Sequence, residues 1–301
     1  MQYSIIVPTL NPGSLWEEWI AEIEMQSIEP LAVYVIDSGS VDNSVAMSID
    51  AEFAVTKIDR GEFNHGGTRQ KALSLVGNAE YVIFLTQDAI LADSDAIKRI
   101  LAPFLDKDIA AVCGRQLPNL EAGVIARHAR LFNYPEQSSV REFNERVNLG
   151  LKVAFLSNSF AAYRVSALLE VGGFPDDVIF GEDMYVAAKL LKIGRKIAYA
   201  SDACVYHSHN YSIWQEFKRY FDMGVFHARE PWLREEFGAA EGEGMKFVVS
   251  EFKYLLRHSF WRIPESMLRT LLRYIGFRLG LMEKWLPLWV KRQFAMNKGY
   301  F

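Results

Sequence analysis

The sequence predicts an α/β protein with a mostly parallel, doubly wound central sheet, helices on both faces and a further helical segment at the C-terminus. Three observations predict it: short apolar runs alternate with amphipathic stretches, polar clusters follow those runs, and the charge balance reverses near residue 240. Residues 4–7, Ser-Ile-Ile-Val, form the first run, whose β-branched content suits a strand buried on both faces. Residues 15–26 place apolar side chains at helical spacing, so a helix follows. The second strand spans 32–36, Asp42 leads the next helix, and 53–58 gives the third strand. A helix over 68–76 and a strand over 81–85 continue the alternation. Strands joined through helices need right-handed crossovers, which means parallel pairing. In such sheets ligands lie beyond the carboxyl ends of the strands, so the residues after each strand are the first candidates for a site.

The 301 residues are half apolar and 13% aromatic, ample for a packed interior, which excludes a disordered, collagen-like or coiled-coil chain. Cys113 and Cys204 are too few for a disulfide framework and lack metal-type spacing; they read as buried small hydrophobes in a reducing compartment. The N-terminus runs directly into a strand without a basic-then-apolar leader, so export is not expected. Nor is a transmembrane helix, because no run of about eighteen uncharged apolar residues occurs. The net charge of −4 conceals an uneven distribution. Residues 245–301 hold eleven Lys and Arg against three acids, a net +8, which leaves −12 for the remainder. This shift follows the glycine-rich stretch 238–244 and divides the chain into a body, residues 1–240, and a basic segment, residues 241–301.

Pro8-Thr9-Leu10-Asn11-Pro12 follows the first strand, Asp37-Ser38-Gly39-Ser40-Val41-Asp42-Asn43-Ser44 the second, and Thr86-Gln87-Asp88 the fourth. A single Asp at a strand end often only shapes a turn or caps a helix; several in this order gather polar groups at one sheet edge. After the third strand comes His65-Gly66-Gly67-Thr68-Arg69, where two glycines would let backbone approach a ligand and a helix N-terminus with Arg69 favours an anion. Further on, Glu182 and Asp183 open a helix; adjacent residues there project about 100° apart, so the two acids need not share a task. His207 and His209, two positions apart on a strand, point to one face.

In this order the residues resemble the inverting family-2 glycosyltransferases, whose nucleotide-diphospho-sugar-binding fold is called GT-A, over about residues 1–230. The resemblance implies that Thr9 and Asp37 border the nucleobase and ribose, with Asn11, Ser40, His65, Gly67, Arg69, Gln87 and Asp88 also on the donor side. His65-Gly66-Gly67-Thr68-Arg69 and Phe84-Leu85-Thr86-Gln87-Asp88-Ala89 are similar to the bacterial rhamnosyltransferase branch. The family's Asp-x-Asp, which holds a divalent cation on the donor phosphates, is reduced here to Thr86-Gln87-Asp88. Asp88 and His207 are then the expected ligands of Mg2+ or Mn2+, and His209 serves metal or phosphate. By the same match Asp183 is the general base of a single displacement and Glu182 its orienting or acceptor-contacting neighbour. Residues 127–156 show no clean period, which suits an acceptor loop as well as a surface excursion; Tyr134, Arg141 and Asn158 are the candidate acceptor contacts.

The expected reaction moves L-rhamnose from dTDP-β-L-rhamnose to a hydroxyl of an oligosaccharide or polyprenyl-diphosphate-linked acceptor in bacterial O-antigen or other surface-polysaccharide synthesis. Transfer of another hexose from a UDP- or GDP-sugar, or an inert sugar-nucleotide-binding scaffold, are the alternatives. In the basic segment Phe247, Phe252, Leu255, Leu256 and Phe260 recur at helical spacing among Lys and Arg, with Trp261, Trp285 and Trp289. Such helices suit an anionic membrane surface or packing on the body or on a second copy in a homo-oligomer. No nucleic-acid-binding motif accompanies the charge, so nucleic acid is not expected. The implied location is the bacterial cytoplasm, peripheral on the inner face of the cytoplasmic membrane.

Overall fold

The computed structural model describes residues 1–238 and 242–301, so the expected boundary at residue 240 lies outside the described residues. Nine strands, β1 (Tyr3–Thr9), β2 (Val33–Asp37), β3 (Ala54–Lys57), β4 (Tyr81–Leu85), β5 (Ile90–Leu91), β6 (Ile109–Leu117), β7 (Ser139–Arg141), β8 (Phe160–Arg164) and β9 (Lys196–Tyr206), form one sheet. Its order is β3-β2-β1-β4-β8-β6-β9-β5, with β7 paired to β9. The helices are α1 (Leu15–Glu24), α2 (Ser44–Asp50), α3 (His65–Leu73), α4 (Ala96–Leu101), α5 (Val124–Asn133), α6 (Arg146–Leu149), α7 (Val165–Glu170), α8 (Glu182–Lys192), α9 (Ile213–Arg229), α10 (Pro231–Phe237), α11 (Glu243–His258), α12 (Ile263–Leu281) and α13 (Leu288–Phe294).

The N-terminal half follows the expected pattern: β1 pairs in parallel with β2 and β4, and β2 with β3. Strand residues alternate between two cores, Ile5 and Val7 facing Trp16 and Trp19 of α1 while Ile6 faces the core that holds Val82 and Phe84. Beyond β4 the sheet is mixed. Strand β8 inserts antiparallel between β4 and β6, and β6 pairs in parallel with β9. The N-terminus of α3 lies at His65 rather than Thr68, because the Asn64 side chain caps it by accepting from the Gly67 amide. The stretch 127–156 also corrects the sequence reading, since most of α5 and the edge strand β7 lie within it. Cys113 is buried in the core as expected, and burial pushes its thiol up to about 12.

The C-terminal helices pack on the body. Helix α12 crosses α9 with the two backbones nearly touching: a Cβ on Gly280 would stand 2.1 Å from the Phe221 carbonyl oxygen, and one on Gly224 2.2 Å from that of Phe277. Close approach also brings Glu216 of α9 between Arg269 (2.8 Å) and Arg273 (2.9 Å) of α12. Part of the basic charge is thus neutralised internally. No helix among the described residues is long and apolar enough to cross a membrane. Because nothing flexible stands at the α9–α12 crossing to give way, Gly280→Val should destabilise the protein by about 1–3 kcal/mol or more. A denaturant midpoint equal to wild type would contradict the crossing.

Candidate active site

The carboxyl ends of β1 and β4 meet α3, the start of α8 and the end of β9 around a cleft of about 430 Å³. Its centre is the start of α8. Gly181, with φ of +75°, turns the chain into this helix in a conformation that favours glycine. Glu182 then points into the protein, where its carboxylate sits 3.1 Å from the Arg69 guanidinium, both side chains being buried. Asn158 completes the setting by donating from Nδ2 to Glu182 (3.1 Å) and from its backbone N–H to Asp183 Oδ2 (3.3 Å), while its own Oδ1 accepts from the Tyr163 hydroxyl (2.6 Å). Asp183 Oδ1 accepts from the Met184 N–H at 2.8 Å.

The two adjacent acids are driven apart electrostatically. Burial alone would raise Glu182, but Arg69 above all, then His65 and the Asn158 amide, hold it below the ordinary carboxylate range. Asp183 lacks such a cation; burial, then the charge on Glu182, push it up to about 7. One carboxylate therefore stays ionised and structural, and the other is poised to take or hold a proton near neutrality.

Across the cleft, Asp88 Oδ1 and Oδ2 lie 3.4 Å and 3.7 Å from Nε2 of His207 and His209, respectively. Gln116 Oε1 accepts from Arg130 (2.8 Å) and from His207 Nδ1 (2.9 Å), which fixes the His207 ring with Nε2 facing Asp88. Burial, then His207, lower His209 to about 4, so its imidazole is neutral, while despite burial the hydrogen bond with His207 above all keeps Asp88 well below the usual carboxylate range. Three lone-pair donors, all within 4.8 Å of one another, form a ligand set that a divalent cation satisfies.

Other expected site residues are distributed differently. Thr9, His65, Arg69, Gln87 and Asp88 line the cleft; Asn11, Asp37, Ser40 and Gly67 do not. Asp37 accepts from the Gly39 and Ser40 amides, and Asn11 and Ser40 lock their two loops together through Val41 N–H and Asn11 N–H. Gln87 clasps the Leu10 peptide, accepting from its N–H (2.7 Å) and donating to its carbonyl (3.1 Å). Arg69, expected on phosphate, is held by Glu182 and the His65 carbonyl. The tight contact at Gly66 is with the Pro175 carbonyl. Arg141 lies outside the cleft, donating to the Phe155 carbonyl, and Asn158 stands behind the acids with its side chain engaged. Tyr134 does line the cleft, largely buried.

The sequence reading missed Gln116, Arg130, Arg219, Asp222, Met296 and Asn297, all in the cleft wall. Among the described residues Arg130 and Arg219 have no carboxylate within ion-pair distance; Arg219 lies over the rings of Phe180 (4.9 Å) and Tyr211 (5.9 Å). Both are cations of the cleft wall that the sequence does not single out. No local pattern distinguishes them from other helical arginines.

Residues 4–172 match the model of glycosyl transferase family 2, and the rest of the architecture agrees. The chain belongs to that family. This family-2 glycosyltransferase is 48% identical to O-antigen chain rhamnosyltransferase RfbN of Salmonella typhimurium, with 100% of this chain and 96% of that protein covered. It is 46% identical to O-antigen chain rhamnosyltransferase WbaN of Salmonella anatum, over 99% and 95%. Its fold is GT-A. Among solved structures it resembles the mannosyltransferase PcManGT from Pyrobaculum calidifontis in complex with GDP-Man and Mn2+ (TM-score 0.58, 18% identity, 99% of this chain and 84% of that one). S. aureus TarS 1-349 is similar too (TM-score 0.55, 18% identity, 98% and 84%). The two charge states predict that activity rises with pH through about 7 as Asp183 loses its proton. Asp183→Asn should lower kcat by about a hundredfold or more while nucleotide-sugar binding persists; wild-type-like turnover would remove Asp183 from this role.

Proposed function

We propose that the protein is an inverting rhamnosyltransferase that moves L-rhamnose from dTDP-β-L-rhamnose to a hydroxyl of a lipid-linked oligosaccharide in O-antigen synthesis. The single observation that carries the reaction type is the pairing of an ionised Glu182 with a poised Asp183 across the cleft from Asp88, His207 and His209. The sugar rests on the full-length similarity to two O-antigen chain rhamnosyltransferases.

In this reading Asp183 accepts the acceptor hydroxyl proton as that oxygen bonds the anomeric carbon and the bond to the donor phosphate oxygen breaks, releasing dTDP. Asn158 N–H and Met184 N–H fix the two oxygens of the base. Thr9 and Gln87 border the donor's nucleoside end, and Arg130 and Arg219 face the diphosphate. Asp88, His207 and His209 would hold a divalent cation, which supplies positive charge to the departing diphosphate. One base suffices for inversion; a double displacement would need a second, nucleophilic carboxylate, and Glu182 is closed off by Arg69.

A panel of dTDP-, UDP- and GDP-sugars with and without Mn2+ tests this directly. Preferred turnover of dTDP-rhamnose, stimulated by Mn2+, is expected. Preference for a UDP- or GDP-hexose would overturn the sugar assignment, and binding without turnover of any donor would favour a scaffold.

The C-terminal segment supports a location at an anionic membrane. Phe252, Leu256, Phe260, Trp261, Trp285 and Trp289 are exposed, and Lys253 and Arg257 are the sequence neighbours of Phe252 and Leu256 on α11. Since α12 is part of the packed body, point changes are the proper test. Trp261→Ala, Trp285→Ala and Trp289→Ala combined should abolish co-flotation with phosphatidylglycerol vesicles while activity on a soluble acceptor remains; unchanged flotation would overturn it.

A further inference from the structure

After α13 the chain turns back towards the cleft. Ala295 is fully buried, Phe294 and Phe301 pack on Phe221, and Met296 and Asn297 reach the cleft wall. Asp222 of α9 receives this return: it accepts from the backbone N–H groups of Met296 (3.2 Å) and Asn297 (3.0 Å) and from the Asn297 side-chain Nδ2 (3.0 Å). The second hydrogen of that Nδ2 has its own acceptor, the Ile179 carbonyl, at 3.0 Å.

Ile179 stands just before Phe180, Gly181, Glu182 and Asp183, in a turn without regular secondary structure. The turn is held again from the same strap, since the Tyr300 hydroxyl donates to the Asp177 carbonyl (3.3 Å) while accepting from Arg229 (2.9 Å). Two carbonyls of the segment leading into the catalytic helix are thus bound by side chains from the last five residues of the chain. Gly181, with no Cβ and a positive φ, offers little resistance of its own to a shift of that turn. Displacement of a reacting group by about 1 Å can cost about a hundredfold in rate.

We propose that Asn297, anchored by Asp222, is a positioning residue for the turn that carries Asp183, which makes the C-terminal strap part of the catalytic apparatus. The proposal rests on the reading of Asp183 as the base. Asn297→Ala deletes both side-chain hydrogen bonds and keeps the backbone bond to Asp222. Tyr300→Phe deletes one oxygen and removes the second clasp.

Steady-state kinetics and hydrogen–deuterium exchange on the full chain test it together. For Asn297→Ala we expect kcat to fall about ten- to hundredfold, donor and acceptor KM to stay within about twofold, and exchange to quicken in the peptide spanning 176–185 without substrate. Tyr300→Phe should show the same pattern more weakly, and Asp222→Ala with Asn297→Ala should be no worse than Asp222→Ala alone, as for groups acting through one unit. A loss confined to acceptor KM would make Asn297 a binding contact and overturn the proposal. So would unchanged exchange in 176–185, or faster exchange throughout with a lowered Tm. If the wild type fails to turn over dTDP-rhamnose, the functional reading fails, while the exchange result still decides the positioning role.

Discussion

The buried ion pair between Arg69 and Glu182 is the constraint on which the site depends. It joins α3, from the N-terminal half of the sheet, to α8, whose first turn carries the proposed base Asp183. Breaking such a pair by removing one partner strands a charge in the interior at about 3–5 kcal/mol. The backbone is shaped to permit the contact: Gly66 lets α3 approach the Pro175 carbonyl, and Gly181 admits the turn before Glu182. The consequence for chemistry is indirect. By keeping Glu182 ionised, Arg69 maintains the negative neighbour that, together with burial, raises Asp183.

The same logic of displaced roles explains the reduced acidic motif after β4. Gln87 holds the ends of β1 and β4 together through the Leu10 peptide, a pair of bonds that a carboxylate could not make because it lacks the donor. Ligand capacity reappears just past the end of β9 as His207, oriented through Gln116, and His209. The negative body of the chain is answered in the cleft by Arg130 and Arg219 from α5 and α9.

Much of the fold was legible because strands buried on both faces read as unbroken apolar runs, and β1, β2 and β4 fall within a residue or two of where those runs end. The antiparallel insertion of β8 was not, since pairing partners distant in sequence leave no local periodicity. Site residues divided the same way. Asp88, His207, Glu182 and Asp183 were visible as chemistry at strand and helix ends, and they do converge. Arg69 was visible too, but its ion-pair partner Glu182 lies far along the chain and left no local signal. Asn158, expected as an acceptor contact, hydrogen-bonds both acids. Asp222 and Asn297 carried no signal at all, because an Asp in a helix and an Asn near a terminus acquire meaning only once the chain has folded back.

The central claim is that Glu182, added to burial, raises the proton affinity of Asp183. The pH dependence of kcat/KM for Glu182→Gln against wild type measures this most directly. Removing the negative neighbour while Arg69 keeps its charge should move the acidic limb of the profile to lower pH, away from about 7. An acidic limb that stays in place, or moves to higher pH, would contradict the account.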